Sequence, residues 1–165
     1  NCTFEKMNFH HYSRLVLIVF FLIACEPDDI CLESYKDSPN LIIKFLDFNT
    51  GENKSVINLK IKGINIEDDL FNGSTDSISI PLNNYENTTS FSFTKEFDSN
   101  ESNEDLIYFN YLRNNVYVSR SCGYRMEYAI ENIIVENDTS NWIEDSIIER
   151  RVINDEILHH VKIYH

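Results

Sequence analysis

The chain has 165 residues, of which 27 are acidic and 14 basic, for a net charge of −13. Nucleic acid and anionic lipid head groups are poor partners for such a surface taken as a whole. The length fits one ordinary domain with a real core. Asn and Ile stand out at 20 and 21 copies, so triplets such as Asn72-Gly73-Ser74 and Asn87-Thr88-Thr89 arise from composition and carry no weight as glycan sites.

The first element is the apolar run Leu15–Ala24. It is half the ~20 residues needed to span hydrocarbon. Lys6, His10, His11 and Arg14 precede it, and a small residue and Cys25 end it, which is the plan of a secretory signal. The tetrapeptide Leu22-Ile23-Ala24-Cys25 resembles a bacterial lipobox. The expectation is a signal peptide over 1–24, with Met7 as the start and 1–6 as an upstream extension that also carries away Cys2. Cys25 then becomes a lipidated N-terminus, and its diacylglyceryl and palmitate chains hold at about 0.8 kcal/mol per buried CH₂. The expected location is the cell envelope, lipid-anchored in the outer membrane on either face. The shortened chain keeps 12 basic and 26 acidic residues, a net −14.

Residues 25–39, "CEPDDICLESYKDSP", have two prolines, charges and no periodicity, and fit a tether. With Cys25 lipidated and Cys2 removed, Cys31 and Cys122 are the pair left in an oxidising setting, and they are expected to bond. Closing a loop of about ninety residues stabilises a fold by roughly 4–5 kcal/mol in the chain-entropy treatment. A metal pair or reactive thiol is the competing reading, but no histidine stands at zinc-site spacing from either cysteine.

From 40 to 165 the dominant period is two. Strands are predicted at Leu41–Phe48; over "SVINLKIKG" with Ile57, Leu59 and Ile61 on one face; over "TDSISIPL" with Ile78, Ile80 and Leu82; and over "TTSFSFTKEF" with Phe91, Phe93 and Phe97. Further strands follow at Leu106–Leu112, Val116–Arg120, Cys122–Asn132, Ile133–Glu136, Ile143–Ile153 and His160–Tyr164. In Cys122–Asn132 the residues Cys122, Tyr124, Met126, Tyr128 and Ile130 are expected inward. Turns are predicted at 49–53, Asn72-Gly73-Ser74, Asn83-Asn84, Asp98–Asp105, Asn114-Asn115 and Asn137–Asn141. Ile143, Ile147 and Val152 nearly share a helical face, but β-branched residues favour strand there. The fold class is therefore all-β, an antiparallel sandwich of immunoglobulin-like or Greek-key type with about seven to nine strands.

Site chemistry is sparse. Asp98, Asn100, Ser102 and Glu104 alternate as calcium ligands would, yet Asn103 stands where an EF-hand turn needs Gly and Phe109 where it needs a bidentate Glu. A solvated loop is the simpler account. His159 and His165 share a strand face six residues apart, and His160 faces the other way, which is poor geometry for one metal ion. Ser119–Gly123 contains nucleophile types without a Gly-x-Ser-x-Gly elbow or a local base. No catalytic residue, metal ligand or cofactor is assigned. Trp142 and Tyr117 could serve a binding face, although strand aromatics more often fill cores.

Several segments together, "CEPDDICLE", "LIIKFLDF", "FNGSTDSISIPLN", "FNYLRNNVYVSRSCGY", "NWI" and "HVKIYH", resemble a family of small, uncharacterised lipoproteins of the Bacteroidota. The resemblance implies lipidation at Cys25 and pairing of Cys31 with Cys122, and the family carries no assigned activity to transfer. An acidic tract after the lipidated cysteine resembles a surface-export signal in such bacteria; here Glu26, Asp28 and Asp29 are interrupted by Pro27. The expected function is a non-catalytic envelope binding or assembly module that contacts an envelope protein or glycan through sheet edges and acidic loops. Alternatives are an envelope hydrolase with a carboxylate-based site and a calcium-binding protein.

Overall fold

Alternation of apolar and polar side chains builds two facing sheets in the computed structural model, which describes Cys31 and residues 37–165. The expected signal over 1–24, the lipidation residue Cys25 and all of the 25–39 tether except Cys31, Asp37, Ser38 and Pro39 lie outside the described residues.

The strands are β1 (Leu41–Leu46), β2 (Val56–Gly63), β3 (Asp69–Thr75), β4 (Ser77–Ile80), β5 (Thr88–Lys95), β6 (Asn103–Ser119), β7 (Gly123–Val135), β8 (Asp145–Ile148), β9 (Val152–Ile153) and β10 (Val161–Tyr164). The smaller sheet has the order β4-β1-β10-β8 and the larger β3-β2-β5-β6-β7-β9. All neighbours are antiparallel except β1 and β10, where Ile43 lies opposite Val161 and Phe45 opposite Ile163. The all-β sandwich follows from the period of two. The described strands number ten: Leu106–Leu112 and Val116–Arg120 run together in β6, Cys122–Asn132 and Ile133–Glu136 run together in β7, Asp69–Thr75 is an added strand, and Ile143–Ile153 divides into β8 in one sheet and β9 in the other.

One core fills the space between the sheets. Leu41, Ile43 and Phe45 of β1, Ile78 and Ile80 of β4, and Val161 and Ile163 of β10 meet Leu59 and Ile61 of β2 together with Phe91, Phe93, Ile107 and Phe109 of β5 and β6. The Phe45 and Phe93 rings meet edge-on across the gap with centroids 6.4 Å apart.

Three departures from simple alternation have physical causes. Asn58 adopts φ 44° and the register with β3 shifts between Val56 and Leu59, a bulge that sends Val56 into the core and Ile57 out to solvent. Asn72-Gly73-Ser74 is not a turn but the middle of edge strand β3: Gly73, opposite Leu59 beside this bulge, adopts φ 154°, which only glycine takes easily. Asn114 and Asn115 likewise lie inside β6, opposite Glu127 and Met126, because an unbroken ladder with β7 overrides their turn preference. The hairpin turn falls instead at Ser119–Gly123, with Gly123 at φ 72°.

Candidate functional site

Strands β6 and β7 outrun their neighbours. β5 pairs with β6 only as far as Asn110, and β9 meets β7 only at Tyr128 and Ala129, so Asn114–Glu127 form a two-stranded arm. A bare two-stranded ribbon is marginal in water, and this one is held at both ends. At its base Arg113 donates through Nε to Asn87 Oδ1 and through Nη1 to the Asn84 carbonyl, each at 2.7 Å. At its tip Cys122 is disulfide-bonded to Cys31, with Cα atoms 4.9 Å apart. Between them the Met126 N–H donates to Ser38 Oγ at 2.9 Å, so the end of the tether lies along the arm.

Tyr117 and Tyr124 face each other edge-on across this arm, centroids 5.4 Å apart, and are 58% and 69% exposed. Tyr124 was expected inward. It does continue the inward face, because no register shift separates Tyr111 from Tyr117, but the smaller sheet ends before reaching it. The parity that buries Tyr111 and Tyr128 therefore displays Tyr117 and Tyr124.

Beside the arm's base is a groove of about 440 Å³. Its apolar wall comes from Ile64 and Ile66 of the β2–β3 turn, Leu70 of β3, Leu82, and Phe91 of β5. Asn65, Asn83 and Glu86 supply polar groups. Two buried tyrosines fix the loop between groove and arm. The Tyr111 hydroxyl donates to the Asn83 carbonyl at 2.9 Å, and that of Tyr128 reaches Asn84 Oδ1. Burial raises the pKa of both phenols, which keeps them neutral donors.

Three other polar residues serve the core. Asp105, expected in a solvated loop, sits on β6 and is 1% exposed. Its Oδ2 accepts the backbone N–H of Trp142 and of Ile143, while the Trp142 indole N–H donates to the Phe93 carbonyl at 3.1 Å. Burial raises the Asp105 pKa, opposed by the Ile143 N–H, the Asn141 side chain and the Trp142 N–H. His160 is fully buried, and its Nδ1 accepts the Ile42 N–H at 3.1 Å, which assigns its proton to Nε2. Burial pushes its pKa down, helped by Arg150. His165 meets Phe45 and Trp142 edge-on, and burial lowers its pKa too.

The calcium candidates are not gathered into one site. Asp98 Oδ1 accepts from Asn58 Nδ2 at 2.8 Å, Asn100 is exposed in the turn, and Glu104 accepts the Ser92 hydroxyl. Among the described residues no group of three or more His, Cys, Asp or Glu side chains is placed to hold a metal. His159 precedes β10 and is half-buried, so it does not share a strand face with His165; His160 is bound to the Ile42 N–H and His165 packs on Phe45 and Trp142. Ile147, aligned with Ile143 and Ile153 in the sequence, is exposed on β8 while the other two are buried.

The match to a known family covers residues 58–165, from the β2 bulge through β10. The chain belongs to DUF6452, a family of unknown function. No curated protein and no solved structure matches it. Within this DUF6452 chain the matched span holds the groove, the whole arm and Cys122, while Cys31 and β1 precede it. Sequence reasoning missed Asp105 and His160 as core groups. The signal for Asp105 was available: it stands two residues before Ile107 and shares the parity of Ile107, Phe109 and Tyr111.

Proposed function

We propose that this chain is an envelope lipoprotein, anchored through lipid on Cys25, that acts as a non-catalytic binding or assembly module. The observation that carries the reading is the Cys31–Cys122 bond, spanning 91 residues. Such a bond belongs to an oxidising, exported compartment. It also fastens the folded domain to a point only six residues beyond Cys25, as suits a module worked from a membrane anchor. The resemblance to uncharacterised lipoproteins of the Bacteroidota, carried by the lipobox and by segments along the chain, supports the same reading.

The groove is the proposed contact surface: an apolar wall with a few convergent polar groups is the usual form of a recognition site. The partner is an envelope protein or glycan. Two experiments test the reading. Replacing Cys25 by Ala moves the protein from the membrane pellet to the soluble fraction of broken cells if lipid is its anchor, and leaves it in the pellet if not. A photo-cross-linking residue at Ile66 is then compared with one at Ile157, exposed and outside the groove. A discrete adduct from position 66 alone supports the groove as the contact; no adduct, or the same one from both positions, contradicts it.

A further inference from the structure

We infer that the partner is a protein, bound through an extended cationic segment that adds a strand to the open edge of β3 and sets an apolar side chain in the groove. This rests on the groove reading above and adds the class of ligand and the way its backbone is held.

The edge comes first. β3 ends the larger sheet and pairs only with β2. The Ile64 N–H donates to the Ser90 carbonyl at 3.1 Å, next to the pair Gly63 and Phe91, so alternation turns Lys60 and Lys62 toward β5 and Leu59 and Ile61 toward β3. Phe71 and Gly73, opposite Ile61 and Leu59, therefore give their backbone groups to β2, and Asn72 between them turns its N–H and C=O outward. Among the described residues no hydrogen bond from outside the sheet reaches the backbone of Asp69–Thr75. Such an edge recognises an extended backbone. The other edge strands, β4, β8 and β9, are blunted by lengths of four, four and two residues, whereas β3 has seven and neither Lys nor Pro.

The groove opens at the same edge. The register shift between Ile61 and Lys62 leaves Leu70 without a partner on β2, and this bulged residue lines the groove with Ile64 and Ile66. A strand paired to β3 runs past Leu70, where a side chain on the groove side meets the apolar wall.

Charge selects the occupant. Glu67 and Asp68, between Ile66 and Leu70, and Glu86, which lines the groove, are exposed, and among the described residues none of the three is in an ion pair. The cations of adjoining strands are taken: Lys62 binds Asp69 at 3.3 Å and the Glu67 carbonyl at 2.9 Å, and Arg113 holds Asn87 and Asn84. A second copy of the chain would bring the same acids to the same edge, like charge against like at a net −13 each. A segment carrying Lys or Arg meets opposite charge.

The probe is a phage-displayed library of random linear nonapeptides, panned on the full-length protein purified in detergent. Enriched sequences are synthesised, and their Kd is measured for wild type, Asn72→Pro, Asp68→Lys and Glu101→Lys. Asn72→Pro removes an outward N–H that the β2 ladder does not use, a place where an edge strand accepts proline. Glu101, an exposed acid in the turn before β6, is the control. The expected peptides carry Lys or Arg beside an apolar residue. They bind about tenfold more weakly to Asn72→Pro, about fivefold more weakly to Asp68→Lys, and unchanged to Glu101→Lys. In the wild type they slow exchange of the Asn72 amide, a readout that stands even where the proline variant does not fold. No enriched peptide, an acidic or uncharged consensus, equal loss in Glu101→Lys, or an Asn72 amide unaffected by bound peptide overturns the inference. If no peptide is enriched while position 66 still gives its discrete adduct in cells, the groove stands and takes a glycan or a folded surface. No adduct from position 66 removes the groove reading, and this inference with it.

Discussion

One carboxylate oxygen of Asp105 holds the chain at Trp142: Oδ2 accepts the Trp142 N–H at 3.0 Å and the N–H of the next residue, Ile143, at 2.8 Å. The pair fastens the crossing from the larger sheet to β8 and orients the indole toward the Phe93 carbonyl. Asp105→Ala strips the acceptor from both N–H groups, at roughly 1–3 kcal/mol for each one orphaned. Asp105→Asn keeps an acceptor oxygen and isolates the charge. The native pKa is raised, so the folded state binds a proton more readily than the unfolded chain. Wild-type stability relative to Asn then falls as pH rises from the ordinary 3.8 through the raised native value, and is level above it. Melting temperatures of both proteins across acidic pH check this; a gap independent of pH contradicts it.

His160 gives the opposite slope. Its native pKa is below 6.5, so the stability linked to its neutral form is present above 6.5 and is lost as pH falls through the lowered native value. Protonation also removes the Nδ1 acceptor from the Ile42 N–H. His160→Ala leaves that buried N–H without a partner, at about 1–3 kcal/mol, and flattens the decline between neutral and mildly acidic pH. Denaturant titrations at pH 7.5 and pH 5 measure both effects.

The disulfide should act locally as well as globally. Replacing Cys31 and Cys122 together by Ser costs up to about 4–5 kcal/mol in the chain-entropy treatment. The arm loses its tip restraint, so amides from Val116 to Tyr124 exchange faster than those of Phe91 or Ile107, which remain in the core. Equal acceleration throughout both sets would mean that the bond stabilises only the whole fold.

Gly73 provides a backbone test. At φ 154° a side chain is strained although the nearest atom to an added Cβ is 3.6 Å away, in the Phe71 ring. Gly73→Ala should cost about 1–3 kcal/mol from conformation alone, whereas Gly51→Ala, at φ 71° in the open β1–β2 turn, strains a site with no neighbour within 4 Å. Comparing urea midpoints shows whether the bulge beside Leu59 depends on this glycine.

Much of the fold was legible because half-buried strands write their period into the sequence: Ile43 and Phe45, Ile78 and Ile80, and Phe91 and Phe93 all point inward as their alternation required. Long-range pairing overrode local preference elsewhere. Asn114 and Asn115 look like a turn until β7 supplies them with ladder partners, Glu127 and Met126, and Asn58 shifts the phase of β2 within a single residue. Tyr124 shows that parity gives the direction of a side chain but not whether a second sheet is there to cover it. Of the candidate site, the cysteine pair was readable by counting thiols. The groove was not, since Ile64, Ile66, Leu82 and Phe91 come together only through the packing of a turn, a connecting loop and a strand.

The account depends on a chain exported, trimmed to Cys25 and bearing lipid there, with its two remaining thiols joined. Intact-mass measurement of the protein taken from the bacterial envelope without reductant tests this most directly. The predicted result is a polypeptide beginning at Cys25, heavier by a diacylglyceryl group and its acyl chain, and inert to thiol alkylation until reduced. A chain still carrying residues 15–24, or alkylation at Cys31 and Cys122 before reduction, would contradict it.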